Sequence, residues 1–248
     1  MPVLLLIDSS PMGEASITRD LTREFVRRWR KANPQGRVIE RDLVTVEIPV
    51  VNATWIAANL TAKEARTREQ NEILRLSTEF VRELLEADEY VIGVPMHNCG
   101  PSASFKLWVD HIITPLGRNA PLGGKRVTFL IATGSPYRPG IENACKYLLE
   151  AWLRTLFGYL GVQDMRVIMA DGAAAVKHRE VDRTTFLRPH IEAIDALFTG
   201  DRVPDFVPHD DVSSPRPANG GSAQARLSRA VGRNWLLSDT LPNPQRVD

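Results

Sequence analysis

Residues 91–110, V-I-G-V-P-M-H-N-C-G-P-S-A-S-F-K-L-W-V-D, read as a buried strand, a tight polar loop and the start of a helix. A ligand held by such a loop lies across the carboxyl end of the strand, where open α/β sheets place their ligands. Pro95, Met96, His97 and Asn98 are therefore the first candidates for function.

Working outward, Val3 to Ile7, Val127 to Ala132 and Arg166 to Ala170 share the continuous apolar character of Tyr90 to Val94, and Val38 to Leu43 is a more polar fifth run. Strands of this kind belong to a parallel sheet covered by helices. Between them, Ile17, Leu21, Phe25 and Trp29 recur every four residues. Ile73, Leu76, Phe80 and Leu84 follow a three-four spacing, as do Leu187, Ile191, Ile194 and Leu197, so each set makes one apolar stripe on a helix. Strand alternating with helix predicts a doubly wound α/β sandwich around a five-stranded parallel sheet of order 2-1-3-4-5. Its switch point lies between the first and third strands, so the loops after Ile7 and Val94 border one crevice.

The first of these loops, D-S-S-P-M-G-E-A-S-I-T from Asp8 to Thr18, runs into a helix with Ser16 at the N-cap position. Its hydroxyls and the free N–H groups of the helix start suit a phosphate. No acidic residue stands three after Ser16 to complete a capping box, and Arg19 sits where the helix dipole disfavours a cation. A bound anion would offset both, although a serine that merely caps its helix is the simpler alternative.

The composition frames the partners. With 31 basic and 30 acidic residues among 248, the net charge of +1 gives no field to gather nucleic acid or an acidic membrane, and small molecules are the expected partners. No apolar run approaches the ~20 residues of a membrane span. Cys99 and Cys145 are too few for a disulfide framework, and the chain opens on a core strand instead of a leader, so a cytoplasmic protein is expected.

Four landmarks resemble the flavodoxin-like FMN-dependent NADH-azoreductases and related NAD(P)H:quinone oxidoreductases. They are Ser9-Ser10 followed by Ser16-x-Thr18, the P-M-x-N loop with F-K-L-W-V-D after it, T-G-S-P from Thr133, and L-F-G-Y-L-G-V-Q-D-M-R-V-I-M-A-D-G from Leu156. The long segment I-P-V-V-N-A-T-W-I-A-A-N-L after the second strand is similar as well, and the resemblance runs from Pro2 to Phe198. It implies an FMN whose phosphate is held by Ser10, Ser16, Ile17 and Thr18. The ring would lie against Pro95, Met96, His97, Asn98 and Cys99, with Thr133, Gly134 and Ser135 at its pyrimidine edge. It further implies a homodimer that takes electrons from NADH or NADPH and passes two of them, in a ping-pong exchange, to a quinone, azo or nitroaromatic acceptor.

The departures bear on the substrate. His97 and Cys99 stand where the family commonly has Tyr and Phe, which widens the pocket and makes it more polar; Gly134 replaces a frequent Arg, Pro136 a Gly, and the Ile113 to Lys125 connection is short. An electron carrier, or an interaction protein without flavin, fits the same pattern. His97 is a candidate proton donor, because imidazole titrates near neutrality and a reduced quinone needs protons, with a loop histidine fixed by its backbone as the alternative. Cys99 has no C-x-x-C partner and reads as a small packing residue. His111, His178, His190 and His209 lack metal-ligand spacing, and no metal is predicted. A hydrolase using Ser10 or Ser135 lacks the G-x-S-x-G turn, and neither G-x-G-x-x-G nor a P-loop occurs, so NADH would dock without a Rossmann site.

Two features leave alternatives open. The helix Glu142 to Leu160 carries more apolar residues than one stripe needs, fitting either deep core or a subunit interface, and Trp55 either reaches a partner chain or covers its own core. A boundary at Phe198 is expected. Beyond it six Arg balance six Asp, prolines and Gly220-Gly221 break the pattern, and only Leu227, Ala230, Val231 and Trp235 keep helical spacing, so residues 199–248 form an irregular or partly disordered extension.

Overall fold

The apolar runs become strands at Val3–Asp8 (β1), Arg37–Asp42 (β2), Glu89–His97 (β3), Arg126–Ala132 (β5) and Asp164–Ala170 (β6), with the short Gly100–Pro101 (β4) folded back on β3. This is a computed structural model, and it describes residues 1–116, 121–135 and 145–200. The long strands are parallel in the order β2-β1-β3-β5-β6, the arrangement expected from the alternating pattern. β2 is the edge strand, which accounts for its polar sequence: four of its residues are half-buried and two exposed.

Helices cover both faces: Ile17–Ala32 (α1), Ala53–Leu60 (α2), Arg68–Ile73 (α3), Arg75–Glu86 (α4), Ala103–Leu116 (α5), Cys145–Tyr159 (α6), Ala174–Lys177 (α7) and Arg183–Thr199 (α8). Because side chains alternate across a strand, Leu4 and Leu6 of β1 join α1 and α8 through Leu21, Phe25, Trp29, Leu187 and Ile194. Leu5 and Ile7 face the other way, onto Phe80, Leu84, Phe105, Trp108, Leu153 and Phe157 of α4, α5 and α6. A third, small cluster joins Trp55 and Ala58 of α2 to Leu74.

Two expectations change in detail. The Ile73 to Leu84 stripe spans two helices, because the chain breaks at Leu74 (φ −91°, ψ 0°), whose side chain turns into the Trp55 cluster. Trp55 is 4% exposed and donates its indole N–H to Ser77 Oγ, so it covers its own chain. On α6 a single stripe, Leu149, Leu153 and Phe157, is buried, while Leu148 and Tyr159 are exposed. The start of that helix at Glu142, Pro136, part of the 113–125 connection and the Leu227 to Trp235 spacing lie outside the described residues. Among the described residues no helix is long and apolar enough to cross a membrane.

Candidate active site

β1 delivers the chain at Asp8 into a loop whose hydroxyls are buried: Ser9 is 0%, Ser10 2%, Ser16 4% and Thr18 1% exposed. Ser16 is the N-cap of α1. Its Oγ accepts the Arg19 N–H at 3.3 Å and lies 3.0 Å from Thr18 Oγ1. The N–H groups of Ile17 and Thr18 belong to the first turn, where a helix offers no carbonyl partner. The loop is joined to the third strand as the switch-point argument requires, since Ser9 Oγ donates to Gly93 O at 2.8 Å and Ser104 Oγ donates to Ser9 O at 3.3 Å. Gly93 permits the close approach of α1 to this strand: a Cβ there would lie 3.0 Å from Asp8 Oδ1, 3.0 Å from Thr22 Cγ2 and 3.3 Å from Thr18 Cβ.

Arg19 corrects one step of the sequence argument. Its cationic position in the first turn is compensated by protein carboxylates, with NH1 and NH2 each 2.8 Å from Asp42 and NH1 3.7 Å from Asp8, so no bound anion is needed to explain it. The same guanidinium holds Ser10 O through Nε at 3.2 Å and NH2 at 2.9 Å. Burial pushes the Asp8 carboxyl up, against the Thr22 hydrogen bond and the Arg19 charge. At Asp42 burial also acts upward, but the Arg19 and Val44 hydrogen bonds and the Arg19 charge prevail and hold it below the usual carboxylate value. Arg183, on the far side of the loop, donates from Nε to Asp20 Oδ2 at 2.7 Å and from NH2 to Glu14 O at 2.8 Å and Ser16 O at 3.2 Å.

Beside this cradle β3 runs on to His97 and folds back, pairing Met96 with Pro101 and His97 with Gly100. The two residues between, Asn98 (φ 49°) and Cys99 (φ 65°), both take the left-handed conformation of a tight hairpin turn. Asn tolerates it, whereas Cys pays roughly 1–2 kcal/mol. Pro95 is buried, Met96 half-buried, and His97, Asn98 and Cys99 are exposed. Cys99 is disulfide-bonded and exposed, so its reading as a small packing residue does not hold.

Pro95 sits in register with Ala132, which carries the candidate residues Thr133, Gly134 and Ser135 to the neighbouring strand end. Ala173 N–H donates to Thr133 O at 2.8 Å and Ala174 N–H to Gly134 O at 3.0 Å, so the turn is held against the loop after β6. The Thr133 hydroxyl donates to Asp171 Oδ1 and Ser135 O, both at 2.9 Å. Asp171, 7% exposed, together with Ser104 and Arg183, was missed from the sequence, and Ser9 entered only as half of the Ser9-Ser10 landmark. The Asp-Gly at 171–172 was a legible signal; Ser104 and Arg183 carry none by spacing. All twelve candidate site residues thus lie on three adjacent carboxyl ends, those of β1, β3 and β5. Buried hydroxyls and first-turn N–H groups that have no partner among the described residues suit an anionic group such as a phosphate at the end of β1.

A parallel sheet of this order, with its site at the switch point, defines a flavodoxin-like protein, and residues 3–190 match the family described as flavodoxin-like fold. The FMN-dependent NADH:quinone oxidoreductase 3 of Burkholderia lata is 58% identical over 203 residues, 79% of this chain and 98% of that protein. A further FMN-dependent NADH:quinone oxidoreductase, from Acidobacterium capsulatum, is 43% identical over 78% of this chain and 98% of its own. Among solved structures, an FMN-dependent NADH-azoreductase from Bacillus anthracis in complex with FMN superposes with a TM-score of 0.68 at 19% identity, covering 81% of this chain and 99% of that one. The chain belongs to the family of FMN-dependent NADH:quinone oxidoreductases.

Proposed function

We propose that this protein transfers two electrons from NADH to a quinone, with FMN as its resident cofactor and donor and acceptor using one site in turn. What supports the reading is the loop at the end of β1, with the buried hydroxyls of Ser10, Ser16 and Thr18, the last two 3.0 Å apart, and the first-turn N–H groups of Ile17 and Thr18. Bound there, FMN supplies the capacity to take hydride from the nicotinamide and return an electron pair to the acceptor. Pro95, Met96, Asn98 and Cys99 support its ring. The Thr133 hydroxyl has committed its proton to Asp171 and Ser135, so its oxygen is left as an acceptor for an imide N–H, beside Gly134 and Ser135. His97, exposed at the end of β3, is the proton donor to the reduced acceptor. Azo compounds and nitroaromatics are accepted as alternatives in the same space.

The catalytic domain is residues 1–198; α8 ends at Thr199 and Gly200 caps it in the left-handed conformation (φ 81°). The protein acts as a homodimer in the cytoplasm, where NADH is supplied, and the exposed apolar side chains Leu148 and Tyr159 on α6 and Ile56 and Leu60 on α2 favour such pairing. The deciding experiment is a visible spectrum of the protein loaded with FMN, followed by anaerobic NADH and then a quinone. Flavin absorbance that bleaches with NADH and returns with the quinone is the expected result. Retained flavin that NADH does not bleach makes the protein an electron carrier, and flavin that washes away removes the cofactor assignment.

A further inference from the structure

Arg19 and Arg183 share an oddity. Arg19 stands in the first turn of α1 and Arg183 in the first turn of α8, positions where a helix dipole disfavours a cation. Each guanidinium folds back to the same loop and takes up its backbone oxygens: Arg19 holds Ser10 O, and Arg183 holds Glu14 O and Ser16 O. Each is neutralised by a carboxylate outside the loop, Asp42 for Arg19 and Asp20 for Arg183. Their long-range charge is therefore largely cancelled, and their effect on the loop is one of shape.

Shape matters here because a phosphate is repelled by carbonyl oxygens and attracted by N–H and O–H groups. We propose that Arg183, with Arg19 as its counterpart, is a positioning residue that draws the carbonyls of the cradle loop away from the phosphate and so sets the preference for a phosphorylated flavin. The proposal rests on the reading of this loop as the FMN phosphate site. It adds a role for α8, which reaches the loop from 167–169 residues away in sequence. Arg183 is the better position to test, since its side chain is 34% exposed and Arg19, at 16%, compensates Asp8 and Asp42.

The test compares FMN with riboflavin, which lacks only the phosphate, in apo wild type, Arg183→Lys and Arg183→Met, by quenching of flavin fluorescence, with apo melting temperature recorded alongside. Lysine keeps a cation near Asp20 but has no fork to span two carbonyls. Both variants are expected to weaken FMN about tenfold, as for loss of charge-assisted hydrogen bonds, and to leave riboflavin within about twofold. Full rescue of FMN affinity by lysine, equal weakening of both flavins, or unchanged FMN affinity overturns the clamp while leaving the cradle standing. Wild type that binds riboflavin as tightly as FMN removes the phosphate site, and the clamp with it.

Discussion

Ser16 joins a structural role to a binding one, and two substitutions separate them. Its Oγ caps α1 through the Arg19 N–H and meets Thr18 Oγ1 inside the cradle. Ser16→Ala removes both contacts and is expected to lower apo stability by about 1 kcal/mol, along with FMN affinity. Ser16→Asp caps equally well but sets a carboxylate where the phosphate binds. The aspartate variant should melt within a degree or two of wild type yet retain no FMN on a desalting column, and retained FMN would move the phosphate elsewhere. Glu89 offers a second residue-scale experiment at the opposite end of the sheet. It accepts the Trp29 indole N–H at 3.1 Å, and burial raises its carboxyl above the ordinary value of 4.5 despite Arg126, Trp29 and Arg166, with Asp164 adding to the rise. A carboxyl held higher in the folded state binds its proton more tightly there than in the unfolded chain. Its contribution to stability is therefore present in acid and lost as pH climbs through its folded value. Glu89→Gln keeps an acceptor for Trp29 and deletes the charge. The melting temperature of the variant minus that of wild type should be small near pH 4 and grow toward pH 7; a difference that is flat with pH would contradict it.

At the scale of elements, the contact between α1 and β3 sets the crevice. Gly93 lets Thr18 and Thr22 of α1 lie against the strand, and a valine there must push the helix start away. Gly93→Val is expected to cost roughly 1–3 kcal/mol as overpacking and to weaken FMN more than a core substitution of equal cost, such as Phe25→Leu. Calorimetry paired with flavin titration measures both. The segment before α2 is held by a directional chain. Pro49 O can only accept, so His111 Nε2–H donates to it at 2.7 Å; in the neutral ring Nδ1 accepts the Ser77 hydroxyl at 2.7 Å, and Ser77 Oγ accepts the Trp55 indole N–H at 3.0 Å. Ser77→Ala strands two buried polar atoms at about 1–3 kcal/mol, and hydrogen exchange at residues 49–60 should rise selectively. None of this chain was legible in the sequence, where His111 looked like one of several scattered histidines. The stripes on α1 and α8 were legible because each meets a single sheet face, whereas the Ile73 to Leu84 stripe concealed a break that only the Trp55 cluster explains.

For the molecule as a whole, the parallel sheet could be read from four apolar runs and a more polar fifth, because parallel strands buried on both faces leave no other place for so many consecutive aliphatic residues, and the polar run fell at the edge. The crevice followed from the order alone. What escaped was the support beneath it, Arg19 to Asp42 and Arg183 to Asp20, since pairings across 23 and 163 residues have no sequence spacing to betray them. The apolar excess on α6 was legible as an excess, and its two explanations now lead to different measurements. Leu149, Leu153 and Phe157 are 0–1% exposed and belong to the core, while Leu148 and Tyr159, at 58% and 43%, do not. If the outward residues meet a second copy, a symmetric contact repeats each of them twice, so one charge per chain becomes two across the interface. Leu148→Glu should therefore convert a particle of twice the 27.7 kDa chain mass into a monomer by light scattering, with the far-ultraviolet spectrum unchanged because no core atom is touched. FMN binding would then show whether one chain completes the site: affinity kept in the monomer assigns it to the strand ends of a single sheet, and affinity lost assigns part of it to the partner. A Leu148→Glu protein that stays dimeric would take α6 out of the interface and shift the contact to the apolar side chains of α2, Ile56 and Leu60.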